Sequence, residues 1–243
     1  MKQYLIVTDL DHTLVGDEAA TRELNRYILD RREDFYFVYA TGRSYASALG
    51  LKEEAGLLEP DYWVVSVGSE IYVQNQLDRD WAEILSRGWD REKVMAIAGE
   101  FAFLAPQPAA EQNEWKVSYF FDPAAEYGAI EDLKNALQET KIPAQVIFSS
   151  GRDVDILPSA SNKGNATNYL QERLGIGLDR TLVCGDSGND ISLFATGSKG
   201  AIVGNALPEL LRWYDENGSE SHYLATAKCA GGILEALRYF QWI

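Results

Sequence analysis

Four short apolar runs, each stopping at a polar or glycine residue, constrain this chain more than any other feature. They are YLIV at 4–7 before Thr8-Asp9, FYFVY at 35–39 just before Thr41-Gly42-Arg43, YWVVS at 62–66 before Gly68, and TLVC at 181–184 before Gly185-Asp186. Unbroken apolar runs of this length suit strands covered on both faces, as in a parallel sheet. Helical spacing fills the intervals, with Leu24, Tyr27, Ile28 and Arg31 on one face and a second helix over about residues 44–55. Strands alternating with helices imply βαβ units. A further strand is expected at 201–203, with helices at 207–214 and 232–240.

Between residues 77 and 159 the pattern changes. Two helical stretches near 81–87 and 91–103 lead into a polar, proline-containing linker at 105–113. An alternating run at 115–121, a helix over 124–139 and strands at 144–148 and 153–157 follow. A helix then opens at Asn162-Lys163-Gly164. The expected fold class is therefore α/β: a Rossmann-like parallel-sheet core of residues 1–76 and 160–243, interrupted by a smaller α+β cap at 77–159.

The 243 residues are 46% hydrophobic, enough to bury a large core, which excludes a disordered tail. The formal net charge of −15 argues against nucleic acid and anionic membranes as partners. A phosphate-bearing ligand would need a locally positive pocket or a metal ion. Cys184 and Cys229 offer neither a disulfide framework nor metal-ligand spacing. The apolar run after Met1-Lys2-Gln3 is too short for a signal peptide, and no stretch reaches the ~18 apolar residues of a membrane span. A soluble, cytoplasmic protein is expected.

Ligands of open α/β sheets sit beyond the carboxyl ends of the strands. The first run ends in Asp9-Leu10-Asp11-His12-Thr13, whose close carboxylates repel unless a cation lies between them. A hard divalent ion with oxygen ligands, such as Mg²⁺, fits. Thr41-Gly42 offers a hydroxyl and a backbone N–H open to close approach. Gly185-Asp186-Ser187-Gly188-Asn189-Asp190 adds two more acids. Lys163, at a helix start where free N–H groups already favour anions, balances them. Together these groups describe phosphoryl transfer, with an aspartate as nucleophile. Taken singly, Asp-X-Asp is more often a polar turn and a lone lysine is usually a surface residue; the order of all four along one chain carries the reading. His12 and His222 lack partner clusters and are not expected to act as ligands or bases.

These residues resemble the motifs of the haloacid dehalogenase superfamily: Asp9, Asp11 and Thr13 its DxDxT, Thr41 its second motif, Lys163 its third, Asp186 and Asp190 its fourth. More narrowly, DLDHTLV, YATGRSY, EPDYWVVSVGSEIY, WKVSY, QVIFSSGRDVDILP, NKGNATNYL and CGDSGND resemble the sucrose-phosphate phosphatases of cyanobacteria and plants. The resemblance implies an enzyme that hydrolyses sucrose 6-phosphate through an aspartyl-phosphate on Asp9. Asp11 would be the acid and then the base. Mg²⁺ would be held by Asp9, the Asp11 carbonyl and Asp186, supported by Asp190, while Thr41, Gly42 and Lys163 bind the phosphoryl oxygens.

Alternation places Lys116 and Ser118 on one strand face, and Asp153 and Asp155 on another. Spacing alone leaves these faces as solvent-facing; the resemblance implies sugar contacts instead. Arg43, Glu70, Gly151, Arg152 and Asn189 join them as candidate substrate contacts. The same chemistry on trehalose 6-phosphate or a mannosyl-phosphoglycerate stays open, as does a non-catalytic sugar-phosphate binder docked on the sucrose-phosphate synthase. A monomer, with the synthase as a protein partner, is the expected assembly.

Overall fold

The structure is a computed structural model and describes residues 2–126 and 128–243. The chain opens with β1 (Tyr4–Thr8), α1 (Glu18–Asp30), β2 (Phe35–Ala40), α2 (Tyr45–Ala55) and β3 (Tyr62–Val65). Two short antiparallel strands, β4 (Glu70–Val73) and β5 (Gln76–Leu77), extend the sheet edge and lead into α3 (Arg79–Ser86). The inserted unit comprises α4 (Arg91–Ala98), β6 (Leu104–Pro106), β7 (Val117–Phe121), α5 (Gly128–Glu139), β8 (Ala144–Ser149) and β9 (Asp153–Pro158). The chain then returns through α6 (Lys163–Leu174), β10 (Thr181–Gly185), α7 (Ile191–Phe194), β11 (Lys199–Ile202), α8 (Pro208–Asn217), β12 (His222–Leu224) and α9 (Ala230–Tyr239).

The large sheet has the order β12-β11-β10-β1-β2-β3-β4-β5 and is parallel from β12 through β3. Its strands read as unbroken apolar runs because both faces are covered. In β1, Ile6 packs with α1 and α9 on one side, while Leu5 and Val7 pack with α3, α6 and α7 on the other. In β2, Phe35, Phe37 and Tyr39 go one way and Val38 and Ala40 the other. Four helices start where a short polar side chain accepts a free N–H of the first turn: Asp17 for α1, Asp78 for α3, Asp90 for α4 and Asn162 for α6. No helix among the described residues is long and apolar enough to cross a membrane.

The small sheet is antiparallel, β6-β7-β9-β8, and is one-sided. Val117, Tyr119, Phe121, Val154 and Ile156 pack on α4 and α5 in a separate apolar cluster. The opposite face turns towards the carboxyl edge of the large sheet.

Three sequence expectations change. Residues 105–113 are not a plain linker, since Leu104–Pro106 pairs with β7 as an edge strand and a short helical turn covers Ala109–Glu111. Helix α3, placed by pattern with the inserted unit, buries Trp81 and Leu85 in the cluster of the large sheet. Strands β5 and β12, at the two sheet edges, carry no apolar run because only part of each is covered, and β4, one in from the edge, buries only Ile71.

Candidate active site

The loop after β1, the turn after β2 and the loop after β10 all emerge at one edge of the large sheet, because their strands are parallel and adjacent. Their acids meet there. Carboxylate oxygens of Asp9, Asp186 and Asp190 lie within 4.8 Å of one another, all three buried. Lys163, fully buried at the first turn of α6, puts its Nζ 2.7 Å from Asp9 Oδ1 and 2.7 Å from Asp190 Oδ1. Asp190 Oδ2 accepts the backbone N–H groups of Asp186 and Ser187, both at 3.0 Å. Thr13 Oγ1 donates to Asp186 Oδ1 at 3.1 Å.

Two glycines make this closeness possible. A Cβ on Gly185 would lie 2.5 Å from the Asp190 Cβ. Gly68, at φ +88°, presses on the start of α6, where an added Cβ would lie 2.5 Å from the Asn162 carbonyl. Gly68 closes a turn in which Ser66 and Val67 also have positive φ, at 52° and 59°. For a β-branched valine that is a strained conformation. It is held by Ser66 N–H donating to the Arg43 carbonyl and Val67 N–H to the Thr41 carbonyl, at 2.8 and 3.0 Å.

The electrostatics follow from burial. Burial pushes the Asp9 carboxyl well above the usual carboxylate range, Lys163 pulls it down, and Asp190 and Asp186 push it up again. Burial, then Asp190, raises Asp186 to about 6 against Lys163 and the Thr13 hydroxyl. Burial also works against the charge on Lys163, yet Asp190 and Asp9 outweigh it and hold the ammonium above the ordinary lysine range. Three buried acids around one lysine leave a deficit of positive charge, and their hard oxygen donors suit a divalent ion. Both Asp190 oxygens already accept hydrogen bonds, so Asp9 and Asp186, which face open space, are the carboxylates free to bind an ion.

Above the acids lies a cavity of about 340 Å³ between the two sheets. Asp9, Asp11, Gly42, Arg43, Asp186 and Asn189 line it from below, and Lys116, Asp153 and Asp155 from the cap. The polar faces of β7 and β9 are therefore not simply solvent-facing. Lys116 is 3% exposed, lies 3.5 Å from Asp155 and approaches the Gly42 carbonyl at 3.5 Å. Burial and then Asp155 raise the Asp153 carboxyl, which accepts from Gln107 Nε2 at 2.9 Å.

Other expected residues stand back from the cavity. Thr41 is buried behind it, its Oγ1 accepting from the Arg43 N–H at 3.1 Å. Ser118 sits behind Asp155 and donates to it at 2.6 Å. The burial-raised Glu70 carboxyl is taken up by Asn113, Tyr72 and Ser66. Gly151 lies in the β8–β9 turn, and the Arg152 guanidinium stacks 4.5 Å over the Phe120 ring. None of these five lines the cavity. Conversely, His12, Val67, Gln107, Glu111, Ser149, Ser150, Ser187 and Leu207 do, though sequence reasoning did not select them. Gln107 and Glu111 were hidden in the stretch read as a linker; the positive-φ turn at Val67 left no mark in the sequence pattern.

The match to known proteins spans the same two units. The family model of sucrose-6F-phosphate phosphohydrolase matches residues 2–241. The chain belongs to this family. A probable sucrose-phosphatase 2 of Arabidopsis thaliana is 36% identical over 250 residues, covering 98% of this chain and 59% of that protein. The chain thus spans about three fifths of the length of its plant relatives. A mannosylfructose-phosphate phosphatase of Agrobacterium fabrum is also 36% identical, covering 97% of this chain and 96% of the relative. Among solved structures, the sucrose-phosphatase of Synechocystis sp. PCC6803, in complex with sucrose and phosphate, superposes with a TM-score of 0.97 at 55% identity over 99% of both chains. The family's α/β fold, with its haloacid dehalogenase-like core, is therefore the fold of this chain.

Proposed function

We propose that this protein is a phosphatase of sucrose 6-phosphate, acting through an aspartyl-phosphate on Asp9. The observation that carries the reading is the Lys163-centred cluster of Asp9, Asp186 and Asp190 beneath a cavity walled by Lys116, Asp153 and Asp155. That cavity falls in the about 300–1,000 Å³ range of small-molecule sites.

Asp9 sits at the cavity floor, where its outer oxygen can attack phosphorus. As that bond forms, the bond from phosphorus to the sugar oxygen breaks, and the oxygen takes its electron pair and a proton from Asp11. Asp11 then removes a proton from water as that water attacks phosphorus, which frees Asp9 and phosphate. Positioned acid–base help of this kind contributes about 10²–10⁴-fold. Lys163 holds the orientation of Asp9 and balances its charge. The Gly42 N–H, which faces the cavity at the end of β2, fits a phosphoryl oxygen, while Thr41 supports that turn from behind. Mg²⁺, held by Asp9 and Asp186, would supply charge neutralisation of the transferring group. In this reading the large sheet does the chemistry and the cap residues Lys116, Asp153 and Asp155 bind sugar hydroxyls. A cytoplasmic monomer, with the sucrose-phosphate synthase as a partner, completes the reading on the strength of the family resemblance.

A second reading, the phosphate of a mannosylfructose, is favoured by the equal identity to the Agrobacterium relative over nearly its whole length. Phosphate release from purified protein, with and without a chelator, tests both on sucrose 6-phosphate, mannosylfructose phosphate, trehalose 6-phosphate and mannosyl-phosphoglycerate. Preference for sucrose 6-phosphate, abolished by chelation and by Asp9→Asn, is the expected result; preference for another ester overturns the narrower claim. Unchanged turnover in Asp9→Asn overturns the mechanism.

A further inference from the structure

Asp11 stands outside the buried acid cluster, its side chain 41% exposed. Burial and mutual packing hold Asp9, Asp186 and Asp190, but not Asp11. An aspartate in so open a position has several staggered rotamers to choose from. Yet both its oxygens are engaged: Arg43 Nε donates to Oδ2 and Arg43 Nη2 to Oδ1, each at 2.7 Å. Among the described residues no other side chain hydrogen-bonds this carboxylate in the structure.

Arg43 is itself anchored without help from Asp11. Its N–H donates to Thr41 Oγ1 at 3.1 Å, its carbonyl accepts from Ser66 N–H at 2.8 Å, and Nη1 donates to Ser47 Oγ on α2 at 3.0 Å. The guanidinium is thus a planar fork fixed at both ends, and the Asp11 carboxylate lies in the plane it dictates. The outer edges of the two oxygens are left for a substrate.

We propose that Arg43 is the positioning residue for Asp11, its fork fixing the carboxyl group that gives a proton to the sugar oxygen and then takes one from the attacking water. This rests on the assignment of Asp11 as acid and base, and gives Arg43 a role other than the substrate contact its sequence position suggested. A lysine at 43 keeps the charge but cannot form the fork.

The test compares wild type, Arg43→Lys and Arg43→Ala on sucrose 6-phosphate and on p-nitrophenyl phosphate, whose leaving group departs without a proton. On the sugar ester both variants should lose about 10–100-fold in kcat, the cost of misplacing a reacting group by an ångström or so. KM should stay within about threefold, and the single-turnover release of p-nitrophenol, which needs no acid, should fall far less than that of the sugar. On an Asp11→Asn background, Arg43→Lys should cost nothing further, since the two residues act as one unit. Four results overturn the proposal: a raised KM with kcat kept, equal losses in single-turnover release of both leaving groups, additive losses with Asp11→Asn, or a rise in kcat showing that the fork holds Asp11 out of play. If wild type is inactive on sucrose 6-phosphate, the substrate assignment fails and the same comparison runs on whichever sugar ester the panel identifies.

Discussion

Replacing Lys163 by methionine tests the electrostatic core of the site. The side chain keeps its length and apolar stem but loses the ammonium that lies 2.7 Å from both Asp9 and Asp190. Lys163 is wholly buried, so solvent screens neither contact. Removing one partner from a buried ion pair costs about 3–5 kcal/mol, because the remaining charge is left unpaired. Three neighbouring carboxylates would remain, one of them already raised to about 6.

The variant should relieve itself by binding a proton, and this fixes the sign of its pH dependence. Carboxyls raised in the folded state hold protons that the unfolded chain has released, so stability falls as pH rises through the window between the two values. The loss should therefore be larger at about pH 8 than at about pH 5. The assay is urea unfolding of both proteins with chelator present, repeated with excess Mg²⁺, which should return part of the loss by binding only the folded state. Equal midpoints for the two proteins at the higher pH would refute the reasoning, as would a larger loss at the lower pH.

Other predictions follow from the same geometry. Mg²⁺ affinity should weaken as pH falls below about 6, where protons compete with the ion for Asp186; titration calorimetry across that range checks it, and a flat profile would count against Asp186 as a ligand. Gly68→Ala should destabilise by about 1–3 kcal/mol, since its φ and the nearby Asn162 backbone both oppose a Cβ. It should also lower turnover by shifting Lys163, which phosphate release and denaturation of the same sample would separate. Asp155→Asn should cut kcat/KM on the sugar ester by about 10–100-fold, because Lys116 and Ser118 lose a buried anionic partner. A steady-state comparison with p-nitrophenyl phosphate, on which the loss should be small, shows whether the effect lies in sugar binding.

Much of the fold was legible because strands covered on both faces must be apolar throughout, whatever their partners. The runs at 4–7, 35–39, 62–66 and 181–184 announced the parallel sheet, and the polar residues ending them announced its working edge. Strand pattern also put Lys116 and Ser118 on one face, and Asp153 and Asp155 on another. Elements at or next to the sheet edges were illegible for the converse reason: β4, β5 and β12 need little burial and so impose little pattern. Gln107 and Glu111 lay in a polar stretch that reads like any loop until Leu104–Pro106 pairs with β7.

The sequence by itself determined which chemistry the proposed site can carry, since residue type and order supply its carboxylates and its lysine. Only the tertiary structure decided where each of them points. Asp190 turns inward to Lys163 and two backbone N–H groups, Asp11 turns outward to Arg43, and Arg152 turns away from the cavity onto Phe120. Those choices depend on distances between residues far apart in the chain, and on how much water each position retains; neither quantity is encoded in local pattern.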